Sequence, residues 1–249
     1  MDVRERKQAG ERHPWELARA VTLRRLLGRA IIRDPSLTVL DVGCGDAFVT
    51  QNLFPNATDK RIWGIDVNLT QKECDEISSR NSFLAVGKSY DVLGKRRFSL
   101  ILFLDVLEHV ADDGTFLSDI VSRYLKKGGR VLITVPAHPR LFGEHDRFLE
   151  HVRRYSARDL GKCLARSGLR CSEWGFLFFS PMIVRFFENI FAHIFPSLKK
   201  SRGIGAWDGG EIVTNILVMI LVFENAAMIF FNKLSLRIPG LTLWALCSK

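Results

Sequence analysis

Cysteine is scarce and unpatterned. The chain carries five (Cys44, Cys74, Cys163, Cys171 and Cys247) in 249 residues, an odd number with no C-x-x-C spacing. That excludes a disulfide scaffold and argues against a cysteine-based structural zinc site, so a reducing compartment is expected. Glycine, at 19 residues, follows no period, which excludes a collagen-like chain. The start MDVRERKQAGERHPW is charged and has no apolar core, so no signal peptide is expected. Acidic residues are in deficit: 27 Asp and Glu face 36 Lys and Arg, a net charge of +9. Apolar residues are not scarce. They make up 47% of the chain, and mean hydropathy is +0.06. That content excludes disorder, and with the positive charge it points to anionic partners, either nucleic acid or a membrane surface. The length fits one sizeable domain with an embellishment.

Short β-branched runs at residues 37–41, 62–66, 82–86, 98–104 and 130–135 alternate with helix-length stretches. This spacing predicts a parallel sheet covered on both faces. An opening helix is expected from Pro14 to about Arg33, with proline in its first turn. Later, a helix over 156–167 stopped by Gly168, a strand over 169–179 and a final strand over 241–248 after Pro239-Gly240 are predicted.

The first strand runs into a glycine turn, Asp41-Val42-Gly43-Cys44-Gly45-Asp46-Ala47, and the second ends on Asp66. Glycines let the backbone turn tightly and approach a ligand, and an acid at the end of the next strand can accept both hydroxyls of a ribose. The bland alternative is an ordinary strand–helix turn with a capping Asp. A dinucleotide site wants Gly or Ala where Phe48 stands.

Asp41-x-Gly43-x-Gly45-x-Ala47 resembles motif I of the class I S-adenosylmethionine-dependent methyltransferases, with Ala47 in place of the usual third glycine. Residues 98–110, ending Leu107-Glu108-His109-Val110, resemble that family's fourth strand and its LEHV element. Lys127-Gly128-Gly129 through Pro136 resembles the segment before and through its fifth strand. The resemblance implies an α/β Rossmann-like fold, with a seven-stranded sheet whose last strand is antiparallel. It also implies S-adenosylmethionine as cofactor. Asp41, Gly43 and Gly45 would border its methionine part, Asp66 its ribose, and Leu104 and Asp105 its other side. The segment Val86-Gly87-Lys88-Ser89-Tyr90-Asp91 departs from the family, offering the adenine only a Ser, a Tyr or a late Asp. Trp15, Ala18 and Arg19 resemble a segment that lids the cofactor in related enzymes; packing of Trp15 on the sheet edge accounts for it equally well.

Asp105, Glu108 and His109 form a D-x-x-E-H cluster. Some superfamily members hold a divalent metal with an E-x-x-E-H version, which makes a metal an open but less favoured expectation beside simple capping of the loop. The run from His138 to Ser156 resembles the hD…HvRRY segment of methyltransferases in surface-glycan and lipid pathways. Following the fifth strand, it should lie over the open edge of the sheet. His145 or His151 is the candidate general base, because imidazole titrates near neutrality. His109, Arg153, Arg154 and Tyr155 are candidate acceptor-binding residues, the arginines as clamps for phosphate or carboxylate. A solvated basic loop is the alternative.

The organisation expected is an opening helix and cofactor-binding core over 1–180, an apolar helical insertion over 181–238, and the core's final strand over 239–249. In the insertion, Ser180-Pro181 reads as a helix start. Met182, Ile183, Phe186, Phe187, Ile190, Phe191, Ile194 and Phe195 follow at helical spacing. A second segment, 212–231, is just long enough to span a bilayer at ~1.5 Å per residue. Its Leu, Ile, Val and Phe residues favour insertion by roughly 6 kcal/mol, and Glu224, Asn215 and Asn225 offset most of it. A hairpin lying in the membrane interface is therefore expected, with Lys199, Lys200 and Arg202 toward anionic headgroups and Trp207 at the interface. The alternative is that the stripes pack on each other, on the sheet, or across a homodimer.

Taken together, these readings predict a methyltransferase acting on an oxygen, less readily a nitrogen or carbon, of a small-molecule or lipid- or glycan-linked acceptor. It would sit in the cytoplasm, peripheral at the inner face of a membrane. The rivals are an RNA methyltransferase tracking phosphates with clusters such as Lys95-Arg96-Arg97, and a cofactor-binding membrane adaptor without turnover.

Overall fold

The computed structural model describes residues 12–55, 57, 61–194 and 207–249. Its centre is a seven-stranded sheet in the order β3-β2-β1-β4-β5-β7-β6. The strands are β1 (Val39–Val42), β2 (Ile62–Ile65), β3 (Leu84–Gly87), β4 (Phe98–Leu104), β5 (Leu125–Pro136), β6 (Arg170–Leu177) and β7 (Thr242–Ser248). Five run parallel, and β7 is antiparallel to both β5 and β6. Helices cover both faces: α1 (Pro14–Ile32), α2 (Phe48–Leu53), α3 (Gln71–Arg80), α4 (Asp113–Tyr124), the short α5 (Glu144–Phe148), α6 (Ala157–Arg166), α7 (Phe179–Ile194) and α8 (Gly210–Lys233).

Local chemistry explains most boundaries. The run FSLILFL of β4 is apolar on both sides because the strand is buried on both faces at the middle of the sheet. Two helices open on capping boxes, Thr70 with Glu73 for α3 and Ser156 with Asp159 for α6. The fifth strand is longer than predicted, starting at Leu125 rather than 130, because Leu125 pairs with Phe98 across a register shift.

The two insertion helices depart most from expectation. α7 starts at Phe179, not at a Ser180 cap. The N–H of Phe178 is accepted by Asn225 Oδ1 (2.8 Å) and that of Ser180 by Glu224 Oε2 (3.0 Å), both side chains coming from α8. The helix start is thus satisfied by a partner 44 residues downstream. The stripes of α7 and α8 do not close on each other as a hairpin core. α8 instead lies along α1, where Asn225 Nδ2 donates to Thr22 Oγ1 (3.2 Å) and Arg25 Nη1 reaches the Val222 carbonyl (3.4 Å). Leu221 joins the core cluster of that sheet face. Phe195 and the cations Lys199, Lys200 and Arg202 lie outside the described residues.

What α8 turns outward is largely apolar, with Asn215 exposed within it and Glu211 and Lys233 at its ends. Ile212, Ile216, Met219, Ile220, Phe223 and Phe230 are exposed, and α7 adds Val184, Phe186, Phe187 and Ile190. α8 is long and apolar enough to cross a membrane by length and composition. Its polar residues Thr214 and Asn225 are buried against the protein, and Glu224 turns back to α7.

Candidate active site

The glycine turn after β1 forms as the sequence spacing requires. Gly43 (φ 70°) and Gly45 (φ 54°) occupy left-handed backbone, and a Cβ at Gly43 would come 2.6 Å from Val106 Cγ2. Ala47 caps α2 in the same left-handed region at φ 62°, the conformation for which glycine is the usual choice there. Asp66, at the carboxyl end of β2, accepts the N–H of Gly45 through Oδ2 (2.8 Å) and that of Asn68 through Oδ1 (2.9 Å). Asp41 is fully buried beneath the turn. Its Oδ2 accepts from Thr50 Oγ1, and its Oδ1 has no partner. Burial raises its carboxyl to about 7, against the pull of the Thr50 hydroxyl and the Arg19 charge and with help from Asp66.

Across the turn, Asp105 sits at the end of β4 in left-handed backbone (φ 59°). Its Oδ1 accepts from Thr134 Oγ1 (2.9 Å) and its Oδ2 pairs with Arg19 (2.9 Å), which also donates to Thr134. Arg19 stands 5.2 Å from the Trp15 ring, and Trp15 packs on Phe178. The entry to α1 closes over the same place: Arg12 lies over the Phe48 ring and bridges Glu16 to Asp46 of the glycine turn. His13 meets Trp207 edge-on at 5.3 Å, and Trp207 is tied to Thr214 of α8. The first turns of α8 therefore stand beside this cleft. Trp15 Nε1, Arg19 Nε and Asp41 Oδ1 are buried without partners. A cation beside Asp41 and a diol beside Asp66 suit this donor and acceptor set, so the residues fit S-adenosylmethionine. At the adenine end, Ser89 donates to Asp91 and Tyr90 stacks on Tyr124, so both face the protein's own groups.

The segment after β5 is where several predicted roles change. Asp146 is fully buried and gathers three donors: Arg154 Nε at 2.8 Å, His151 Nδ1 at 2.9 Å and the Gly143 N–H at 2.8 Å. Burial alone would raise its carboxyl, but these donors outweigh it and hold it down at about 2. Arg154 was expected as an acceptor clamp; it is instead a buried ion-pair partner that also donates to the Ala137 carbonyl. Tyr155 was expected on the acceptor. It is a core residue, 1% exposed, donating to Asp113 Oδ2 (2.7 Å) and set beside the Leu107 carbonyl. Arg153 remains partly exposed but is held by the Ala111 carbonyl and Asp113. Burial and the Arg185 charge push the His145 imidazole down to about 3, which leaves it neutral and a weaker base than an ordinary histidine.

His151 lies between Asp146 and Glu108, with Nε2 4.0 Å from Glu108 Oε1, and its ring meets His109 edge-on at 4.7 Å. Glu108 is fully buried with neither carboxylate oxygen partnered. Burial and Asp105 push its carboxyl well up. The D-x-x-E-H cluster is thus divided: Asp105 belongs to Arg19 and Thr134, and Glu108 and His109 belong with His151. Asp146 was not singled out from the sequence, although its place in the hD…HvRRY segment was the signal. The buried polar pair on α8 carried no such signal.

Residues 14–173 match a family described as a methyltransferase domain. The chain is 24% identical over 155 residues to the mitochondrial ubiquinone biosynthesis O-methyltransferase of Arabidopsis thaliana, covering 57% of this chain and 48% of that protein. It is 26% identical over 165 residues to the ubiquinone biosynthesis O-methyltransferase of Rhodopseudomonas palustris, covering 60% of this chain and 64% of the relative. The chain thus matches less than two thirds of the length of these curated relatives. Among solved structures, an S-adenosylmethionine-dependent methyltransferase from Mesorhizobium loti superposes with TM-score 0.54 at 12% identity, covering 91% of this chain and 96% of that one. A second, from Archaeoglobus fulgidus, gives TM-score 0.51 at 13% identity over 92% and 94% of the two chains. These last two likenesses concern the fold.

Proposed function

The chain belongs to the methyltransferase-domain family, and on that premise we propose that it transfers the methyl group of S-adenosylmethionine to an oxygen of a lipid or lipid-linked acceptor at an anionic membrane surface. The observation that carries the acceptor class is the exposed apolar stripe of α7 and α8, whose first turns stand beside the cofactor cleft. Oxygen as the methylated atom draws support from curated relatives named as O-methyltransferases.

Bound S-adenosylmethionine supplies an electrophilic methyl carbon on a sulfonium. This chain's part is to hold and align. Asp66 offers acceptor oxygens to the ribose, Gly43 and Gly45 let the backbone approach, Leu104 forms an apolar wall, and Asp41 with the Arg19–Asp105 pair meets the charged amino-acid end. Asp146 fixes the His151 tautomer with hydrogen on Nδ1, leaving Nε2 free to take the acceptor's hydroxyl proton. Arg153, at the rim, steers an anionic acceptor.

The α8 stripe lies along the interface and does not cross it, because its opposite face is committed to α1 and β6. Arg25 and Lys233 flank it as headgroup contacts, with the loop cations Lys199, Lys200 and Arg202 beyond the described residues. The five free cysteines suit the cytoplasmic side of such a membrane.

The test follows methyl-labelled S-adenosylmethionine with the purified chain and a fractionated cell extract. Label that partitions into organic solvent supports the reading. Label released by nuclease would replace it with RNA methylation, and no transfer from any fraction would leave a binding adaptor.

A pH dependence follows from Asp41. In the free protein its carboxyl is held at about 7 by burial, facing Thr50, Arg19 and Asp66. This burial penalises folding progressively as pH rises from about 4 to 7. A cation bound beside it favours the ionised form, so binding releases a proton below about pH 7. The affinity for S-adenosylmethionine should then fall by up to tenfold per pH unit below about 7, measured by calorimetry in buffers of differing ionisation enthalpy. A flat affinity between pH 5.5 and 8 would remove Asp41 from the cofactor's charged end.

A further inference from the structure

We propose that Cys171 and Cys247 are a peroxide-sensitive thiol pair, in which Cys171 is oxidised first and Cys247 then closes a reversible disulfide on it. The first observation is register. Cys171 on β6 and Cys247 on β7 are direct partners in the antiparallel ladder. Direct partners point to the same face of a sheet, with Cα atoms about 4.5–5.5 Å apart. That separation lies within the range a disulfide bridges, about 4.4–6.8 Å. The other three cysteines are not on strands: Cys44 lies in the glycine turn, Cys74 on α3 and Cys163 on α6.

The second observation is access. β6 stands at the edge of the sheet, and Cys171 is open to solvent, whereas Cys247 is fully buried in the core. An oxidant in solution therefore reaches one sulfur and not the other. The ladder slips just past Cys171, where Glu173 rather than Ser172 faces Leu246. A bulge on a strand with one free side gives the backbone latitude to bring two sulfurs to bonding distance.

Electrostatics single out the same residue. The hydrogen bond shared with the Cys247 thiol holds the Cys171 thiol below its ordinary value, and the Glu173 main chain and the Arg237 charge add to it against partial burial. Burial pushes Cys44 and Cys74 up, and Cys163 up to about 12. The bond to Cys171, together with burial, raises Cys247 as well. The thiolate is the reactive form, and an accessible thiolate beside a second thiol is the usual build of a redox-sensing cysteine.

The Cys171 thiolate attacks one oxygen of hydrogen peroxide. An S–O bond forms, the O–O bond breaks, and hydroxide departs, taking a proton to become water. The Cys247 sulfur then attacks the sulfenic acid at Cys171. The S–S bond forms, the S–O bond breaks, and hydroxide leaves as water with the Cys247 proton. Two thiols have given two electrons to one peroxide, and a dithiol reductant reverses the change. A transient disulfide of this kind is compatible with a reducing compartment. The bond encloses residues 172–246, and with them both α7 and α8. Cys247 lies opposite Val131, toward the amino end of the parallel strands, whereas Asp66 and Asp105 stand at their carboxyl ends. Oxidation therefore staples the insertion without entering the cofactor cleft, and the inference does not depend on the proposed methyl transfer.

The test treats the reduced full chain with hydrogen peroxide and maps its peptides without reductant. The expected product is an intramolecular Cys171–Cys247 disulfide that dithiothreitol removes. Before oxidation, iodoacetamide should label Cys171 about tenfold faster than any of the other four cysteines. Closing so long a loop should raise the melting temperature by about 3–8 °C. Cys247→Ala should stop at the sulfenic acid, trapped on Cys171 by dimedone, and Cys171→Ser should give neither product. Cys171 is exposed, so its variant tests the pair even where a change at the buried Cys247 unfolds the chain. The proposal falls if peroxide yields no Cys171–Cys247 bond in the parent, if the bond forms only between chains, or if Cys171→Ser loses thiols to peroxide as fast as the parent does.

Discussion

Aspartate at Phe223 reduces partition of the protein onto anionic vesicles by about 30-fold, and the double substitution Ile216→Asp with Phe223→Asp by about 1000-fold, while the melting temperature stays within a degree or two. The two halves of this result have separate causes. Phe223 is 77% exposed and Ile216 47%, so neither contributes much to the folded chain, and surface changes of this kind usually move stability by under ~0.5 kcal/mol. In a bilayer interface the exchange of an apolar side chain for a carboxylate costs about 2 kcal/mol, somewhat less than the ~3 kcal/mol at the membrane centre. Flotation with phosphatidylglycerol-containing vesicles measures the first, and thermal melts the second. Unchanged vesicle binding by the double variant would leave the stripe to another occupant. Should the parent be a dimer that the same changes split, the occupant is a second copy of this chain.

The stripe also shows where the sequence was legible and where it was not. From the sequence, Glu224, Asn215 and Asn225 stand against burial of α8 in lipid, and the balance comes out near zero. The structure removes two of the three from that balance. Asn225 is spent on Phe178 and Thr22, and Glu224 on Ser180, so Asn215 alone of the three stays on the outward, otherwise largely apolar face. Side-chain period and charge are local properties, readable along the chain. Which face of an all-round apolar helix meets the protein depends on partners 44 to 203 residues away. The same distinction holds in the core. The strand–glycine–helix turn, the acid after β2 and the buried run of β4 are short-range signals and fix the sheet's parallel part. Arg154 and Tyr155 read equally well as ligands or as core, because RRY in a polar loop does not say which side faces inward. Only the arrival of Asp146 and Asp113 decides it.

Asp146→Ala should cost the protein about 3–5 kcal/mol of unfolding free energy, read from urea titrations with an unchanged slope. Three donors lose their acceptor at once: Arg154 Nε, His151 Nδ1 and the Gly143 N–H. The guanidinium dominates, since Arg154 is 6% exposed and, among the described residues, hydrogen-bonds besides Asp146 to the Ala137 carbonyl alone, at 3.3 Å. An unpaired buried charge is far costlier than a lost neutral hydrogen bond, which is worth about 1 kcal/mol. Arg154→Met in the Asp146→Ala background should therefore recover a good part of the loss, with a coupling of about 2 kcal/mol in the double-mutant cycle. Had Arg154 been a clamp for the acceptor, Arg154→Met alone would raise KM and leave the urea midpoint where it was. Its buried position opposite Asp146 predicts a lower midpoint. The same loss frees the His151 ring, so turnover in Asp146→Ala should fall further than the folded fraction does, separating the orienting role of the carboxylate from its structural one.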